Sequence, residues 1–261
     1  MPELPEVEAY RRLAEAAALG RRISAVEAPD PWFLKAGLTA PGITSALVGA
    51  RLVAARRRGK LLILDTDRHH RLGLRFGMTG RLVVDGTAGV DRLLYTSSRD
   101  EPGWDRFTLH LARGGRLRVN DPRRLGGVVL DPDEDRLGPD ALTATAAQLA
   151  AALAGSAAPL KARLLDQARI AGVGNLMADE VLWRAGLSPQ RAAASLVPAE
   201  VRRLHRELRR TVEVLLERGG SHLGDLTPER RPGGACPRDG TALLRATVGG
   251  RTSWWCPRHQ R

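Results

Sequence analysis

The chain has 261 residues, enough for one large core or two smaller ones joined by a linker, and its 41 Lys and Arg against 29 Asp and Glu leave a formal net charge of +12. No run of about 18 apolar residues is present to cross a bilayer as a helix. The acidic start Met1-Pro2-Glu3-Leu4-Pro5-Glu6 lacks the parts of a signal peptide, and two cysteines cannot build a disulfide framework. These features argue against a helical membrane protein and a disulfide-stapled secreted one. They set the expectation of a soluble cytoplasmic protein whose arginine-dominated charge suits an anionic polymer, although an arginine-rich proteome would give the same charge.

In chain order, Pro5 suits the first turn of a helix, Glu6 and Glu8 suit its positive end, Val7, Tyr10 and Leu13 share one face, and Gly20 ends the run. From about residue 22 to 130 short apolar stretches alternate with turn signals. Leu61-Leu62-Ile63-Leu64, Leu82-Val83-Val84 before Asp85-Gly86, and Phe107-Thr108-Leu109-His110-Leu111 before Gly114-Gly115 predict antiparallel strands in a sandwich or barrel. The acidic stretch 131–140, with two prolines, reads as an interdomain linker. Leu160, Leu164, Leu165 and then Val201, Leu204, Leu208, Val212 and Leu215 recur at helical spacing, with Gly186 and Gly219 as stops and Pro198 as a first-turn residue. The tail from Gly233 reads as two short strands around Gly249-Gly250.

The N-terminus carries chemistry of its own. Initiator Met is normally removed before a small residue, which leaves Pro2 as a secondary amine with a pKa near 8 and a usable neutral fraction at pH 7. Attack by such an amine on a sugar C1′ gives an iminium with no N–H to lose, an electron sink for elimination of the 3′ and then the 5′ phosphate. Glu3 is placed to move protons at the opening deoxyribose, and Glu6, one helical turn on, to stabilise the cation. The plainer reading of Pro5 and Glu6, that they start a helix, is compatible with this.

Further blocks follow: Arg56-Arg57-Arg58-Gly59-Lys60, Phe76-Gly77-Met78-Thr79-Gly80, Asn120-Asp121-Pro122-Arg123-Arg124-Leu125-Gly126, and Leu160-Lys161-Ala162-Arg163-Leu164-Leu165-Asp166-Gln167 before Ala171-Gly172-Val173-Gly174-Asn175. Two helices joined by a glycine-rich turn aim backbone N–H groups at one spot, an anion site by construction, with Asn175 as the second helix's N-cap. Taken singly, Lys60 could be a solvated hairpin lysine, Met78 a core filler and the arginine pair a surface turn.

Together the opening Pro-Glu-Leu-Pro-Glu-Val-Glu and these blocks resemble the formamidopyrimidine-DNA glycosylase and endonuclease VIII family over nearly the whole chain. The resemblance implies that Lys60 reaches the damaged nucleotide or its phosphate and that Met78 enters the gap left by a flipped base. It further implies that Arg123 faces the orphaned base beside Leu125, that Asn175 binds the phosphate at the lesion, and that Arg251 contacts the flanking phosphate. Leu125 stands where the oxidised-purine branch has phenylalanine, and only fifteen residues separate Gly220 from Cys236, where that branch carries a longer closing loop.

Family members usually end in two Cys-x-x-Cys pairs; here Cys236-Pro-Arg-Asp239 and Cys256-Pro-Arg-His259 keep the spacing and change two ligands. Zinc accepts all four donors, so a structural zinc on Cys236, Asp239, Cys256 and His259 is expected, with a metal-free finger held by Trp254 and Trp255 as the alternative.

The expected fold is α+β and multidomain. An N-terminal β-sandwich with its catalytic helix (1–130) is followed by a linker (131–145), a helical helix-two-turn-helix domain (146–232) and a zinc-finger-like β-hairpin (233–261), with DNA between the domains. The expected activity is a bifunctional DNA glycosylase and abasic-site lyase, a monomer with no catalytic cofactor and no membrane partner. Its substrate is double-stranded DNA with damaged bases or abasic sites, met at the nucleoid. The alternatives are a member preferring oxidised pyrimidines or abasic sites over 8-oxoguanine, and a catalytically silent damage-binding homologue. All of this requires that the imino group of Pro2 be able to reach a deoxyribose.

Overall fold

Glu3 opens the first helix, α1 (Leu4–Ala17), because its extended backbone and carboxylate form one half of a reciprocal capping box whose other half is the Glu6 side chain. Pro5 sits in the first turn, and Val7, Tyr10 and Ala14, at spacings of three and four, are fully buried. This is a computed structural model of the chain, describing residues 2–94, 96–97 and 99–261. It divides into two compact units, Met1–Glu134 and Asp135–Arg261.

In the first unit α1 is followed by β1 (Ile23–Glu27), α2 (Ala40–Leu47), β2 (Leu52–Arg58), β3 (Leu61–Thr66), β4 (Arg71–Arg75), β5 (Arg81–Val84), β6 (Thr87–Ala88), β7 (Asp105–Leu111), β8 (Arg116–Asn120) and β9 (Gly127–Leu130). Helix α2 departs from the expectation of strands alone. Thr39 caps it by accepting the Gly42 N–H, and its core face is the single pair Ile43 and Leu47, too short a repeat to stand out from a strand-like run.

The strands form two antiparallel sheets, one in the order β1-β7-β8-β5-β6 and one in the order β2-β3-β4-β9. Alternate residues of both enter one core: Leu62 and Leu64, Leu72 and Leu74, Leu82 and Val84, Phe107, Leu109 and Leu111, Leu117 and Val119. That is the period-two pattern of a sandwich. Helix α1 contributes Val7, Tyr10 and Ala14 to the same core and packs on β2 and β3 of one sheet and β5 of the other. The chain's N-terminus is therefore carried by an element that both sheets hold.

The second unit contains α3 (Ala146–Leu153), α4 (Leu160–Leu165), α5 (Asn175–Ala185), α6 (Pro198–Arg218) and the hairpin β10 (Leu244–Val248) and β11 (Arg251–Trp255). Helices α5 and α6 stop on Gly186 and Gly219, both with positive φ, and Pro198 begins α6. Strand β11 packs on α5. The hairpin turn presses on α4, since a Cβ on Gly249 would fall 2.7 Å from that of Ala162. Among the described residues no helix is long and apolar enough to cross a membrane.

Candidate active site and metal centre

Pro2 directly precedes the cap of α1. The Glu6 carboxylate accepts the Glu3 N–H at 2.8 Å, and both glutamates are buried, so two carboxylates are fixed within one residue of the Pro2 peptide. Pro2 itself is buried, whereas the chemistry expected of it needs an accessible nitrogen. Met1 precedes it in the sequence, and while Met1 is attached that nitrogen is an amide rather than an amine. Glu8 extends the anchoring: it accepts from Arg11, from Arg12 and from Arg57 of β2, the last at 3.1 Å. Burial raises its carboxyl pKa, and the hydrogen bonds and charges of Arg11 and Arg57 outweigh that and hold it below the usual range.

Lys60 lies in the two-residue turn between β2 and β3, where Gly59 supplies the positive φ such a hairpin needs and its carbonyl is held by Arg57. Helix α1 and the Lys60 turn are thus joined through the Glu8–Arg57 pair.

The segments of Met78 and of Arg123 and Leu125 are brought together by one buried side chain, Asp121. Its carboxylate accepts the Thr79 hydroxyl at 2.5 Å, the Gly126 N–H at 2.8 Å and the Arg123 N–H at 3.3 Å. Gly77 allows the close approach, because a Cβ there would fall 2.4 Å from the Leu125 carbonyl carbon. Tyr10 of α1 holds the first segment from below, with its ring 4.5 Å from that of Phe76 and its hydroxyl donating to the Gly80 carbonyl. The result is a half-buried Met78 beside an exposed Arg123 and a Leu125 that is 48% exposed. Arg124 is drawn away from that pair by a two-pronged bond to Asp30, which holds the Asp30 carboxyl below its usual pKa.

In the second unit Asn175 is the first residue of α5 rather than its cap, the capping position being Gly174. Its amide oxygen is enclosed without a hydrogen-bond partner among the described residues. Arg251 opens β11 with its side chain exposed. The hairpin that carries it is fastened by a buried network absent from the sequence expectations. Lys161 Nζ lies 2.7 Å from Asp179 Oδ1 and donates to the Thr252 carbonyl and the Ser253 hydroxyl, while Arg230 donates to Asp179 Oδ2 at 2.8 Å. Its single sequence signal is a lysine next to the core leucine Leu160 of α4.

Cys236, Asp239, Cys256 and His259 converge, with one donor atom from each lying within 4.8 Å of all the others. The Cys236 Sγ to His259 Nδ1 distance is 3.6 Å, Cys256 Sγ to Asp239 Oδ2 is 3.5 Å, and His259 Nδ1 to Asp239 Oδ2 is 3.4 Å. Tetrahedral coordination with metal–sulfur bonds near 2.3 Å and metal–nitrogen or metal–oxygen bonds near 2.0 Å places ligand atoms about 3.3–3.8 Å apart, and these three separations fall in that range. The Thr241 N–H holds the Asp239 carboxyl far below its usual range, and burial pushes the Cys256 thiol up, with Cys236 beside it adding to the shift.

The architecture is that of a two-unit α+β protein with a helix-borne N-terminal proline, a glycine-rich helical turn and a ligand-bearing hairpin. Its first half matches the family model of the formamidopyrimidine-DNA glycosylase N-terminal domain over residues 1–128, and its second matches the H2TH domain of the same enzymes over residues 137–226. The formamidopyrimidine-DNA glycosylase of Paracoccus denitrificans is 37% identical over 98% of this chain and 99% of its own length. That of Cereibacter sphaeroides is 36% identical over the whole of both. Among solved structures, the Lactococcus lactis Fpg with abasic-site DNA superposes with a TM-score of 0.83 at 26% identity, covering both chains fully. The same protein with Fapy-dG DNA gives 0.83 at 27% identity, over 99% of this chain and 100% of that one. The chain belongs to the formamidopyrimidine-DNA glycosylase family.

Proposed function

We propose that this family member is a bifunctional base-excision enzyme which removes oxidised or ring-opened bases from duplex DNA and cleaves the abasic site through a Schiff base on Pro2. Loss of Met1 turns the Pro2 nitrogen into a secondary amine. That amine attacks C1′, the base departs, and a proton delivered by Glu3 to the ring oxygen opens the deoxyribose, leaving an iminium. Removal of a C2′ proton expels the 3′ phosphate, a second elimination expels the 5′ phosphate, and water hydrolyses the iminium to free Pro2. Glu6 balances the cation, and Lys60, Asn175 and Arg251 hold phosphates. Met78, Arg123 and Leu125 fill the space of the extruded nucleotide. The enzyme works as a monomer in the cytoplasm.

The observation that supports this best is the reciprocal capping box of Glu3 and Glu6, whose 2.8 Å bond from the Glu3 N–H holds the Glu6 carboxylate at the peptide that follows Pro2, the residue that becomes the nucleophile. Borohydride trapping on an abasic-site duplex tests it. A covalent adduct forms with the trimmed protein and is lost in Pro2→Gly and when Met1 is retained; strand cleavage by a Met1-blocked sample would overturn the mechanism.

A specific observation favours a lesion range not centred on 8-oxoguanine. The short segment between Gly220 and Cys236 is pinned to α5, with Glu180 accepting the Asp225 and Leu226 N–H groups at 3.0 and 2.9 Å and Asp179 holding Arg230. A segment tied down in this way does not close over a purine, and the exposed Leu125 stacks less than an aromatic ring would. Single-turnover rates on oxidised pyrimidine, ring-opened purine and 8-oxoguanine duplexes rank the substrates, with 8-oxoguanine expected not to be the fastest.

The four converging donors hold a structural zinc, whose role is to cross-link the hairpin and keep Arg251 on the DNA face. Metal analysis of the purified protein should give one zinc per chain, falling to none in Cys236→Ser; a zinc content near zero in the wild type ends this reading.

A further inference from the structure

Trp183, near the C-terminal end of α5, touches the donor cluster in two independent ways. Its indole N–H, a group that can only donate, is aimed at Cys236 Sγ at 3.3 Å. Its main-chain carbonyl, a group that can only accept, lies 3.2 Å from His259 Nε2. The second contact therefore makes Nε2 the donating nitrogen and turns Nδ1 toward Asp239 and Cys236. The first gives the Cys236 sulfur a fixed donor, which sets how that side chain is turned toward the cluster. The ring is held in place: it is 6% exposed, lies edge-on to His259, and carries the Arg238 guanidinium 5.0 Å above its face.

We propose that Trp183 is a positioning residue of the metal centre, orienting the Cys236 sulfur through its indole and the His259 ring through its carbonyl. The helix that starts at Asn175 thereby sets the metal affinity of the hairpin that carries Arg251. The proposal rests on the zinc reading above and deepens it. A site with a carboxylate and an imidazole in place of one thiolate from each pair has fewer sulfur ligands to hold zinc, so the orientation of the two remaining sulfurs and the one nitrogen counts for more.

The test compares full-length wild type, Trp183→Phe and Leu243→Ala, the last thinning the same small core without removing a hydrogen bond to a ligand. Zinc affinity is measured by competition with a chromophoric chelator, and the cobalt-loaded proteins are compared by their thiolate-to-metal charge-transfer absorption. Trp183→Phe should bind zinc about 10–100-fold more weakly. Its cobalt band should move to lower energy, because a sulfur without its hydrogen bond gives up electron density more readily. Leu243→Ala should leave that band in place. Wild-type affinity together with an unshifted band in Trp183→Phe overturns the proposal, whereas a wild type that takes up no metal overturns the zinc reading beneath it. Should Trp183→Phe not fold, the wild type loaded with a spin-active cadmium isotope decides. A coupling between the metal and the Trp183 indole proton through sulfur is expected, and its absence counts against the proposal.

Discussion

The sandwich and the C-terminal hairpin fix their chemistry-bearing residues by opposite means. In the sandwich, alternate residues of eight or more strands and the buried face of α1 build one continuous apolar core, and the polar groups that position Glu3, Met78 and Arg123 are caps and turns added at its edge. The hairpin has only a small cluster of its own, Trp183, Leu226, Cys236, Leu243, Trp254 and Cys256, and two of those six are proposed metal ligands. Beyond the contact of that cluster with Trp183 of α5, what ties it to α4 and α5 is charge, through Lys161, Asp179 and Arg230, while the four donors close the tail on itself. A segment of this length buries little apolar surface of its own, so ionic links and the proposed metal site take over that task. The comparison implies that removing one polar side chain costs more in the hairpin than in the sandwich.

Asp179→Ala gives the largest effect. Asp179 and Lys161 are both buried; the substitution takes away the carboxylate facing Lys161, leaving it the Thr252 carbonyl and the Ser253 hydroxyl, and removes the acceptor of both bonds that Arg230 donates to Asp179. Breaking such a pair costs about 3–5 kcal/mol. Thermal denaturation should show the second unit melting first, and metal retention should fall with it. If Asp179→Ala melts with the wild type, the hairpin is not held by charge and the contrast is void.

Asp121→Asn should rank second, at about 1–3 kcal/mol, because an amide placed in the same socket turns one of three accepted hydrogen bonds into a donor-to-donor contact. The apolar core beneath remains, so the sandwich should stay folded while both turns loosen. Hydrogen exchange at the Arg123 and Gly126 amides reads this directly, with protection lost there and retained in β7 and β8. Uniform loss across both sheets would mean that Asp121 supports the core itself.

Which parts were legible in advance follows from how local each feature is. Gly186, Gly219 and Pro198 act on their own turn of helix, and each ends or begins a helix where the sequence places it. The two Cys-x-x pairs keep a spacing that a hairpin must fold into one site, so the cluster could be read before any coordinates. Asp179 gave no such sign, since its partners lie up to 75 positions away and nothing in the helix α5 pattern marks it from any other polar residue. Asp121 is visible only as one member of a motif whose arginine and leucine carry the functional reading, and nothing in the sequence pattern marks Trp183. The burial of Pro2 runs against the requirement that its imino group reach a deoxyribose, and the group that must be exposed exists only once Met1 is removed.

Glu8→Gln should give the smallest effect, about 1 kcal/mol, and is the sharpest test of the sandwich side of the contrast. Glu8 ties α1 to β2 through Arg57, yet Val7, Tyr10 and Ala14 still bury the helix when that tie is weakened. The pH dependence carries its own sign. The folded-state pKa of Glu8 lies below the unfolded value, near 4.3, so its contribution is fully present above that value and is lost as the pH falls through the depressed one. The gap in stability between wild type and Glu8→Gln should therefore be constant from about pH 6 upward and close on acidification below about pH 4. A gap that widens in acid would mean that Glu8 is held protonated in the folded chain. A cost larger than that of Asp179→Ala would show that the N-terminal helix, like the hairpin, depends on charge rather than on its core.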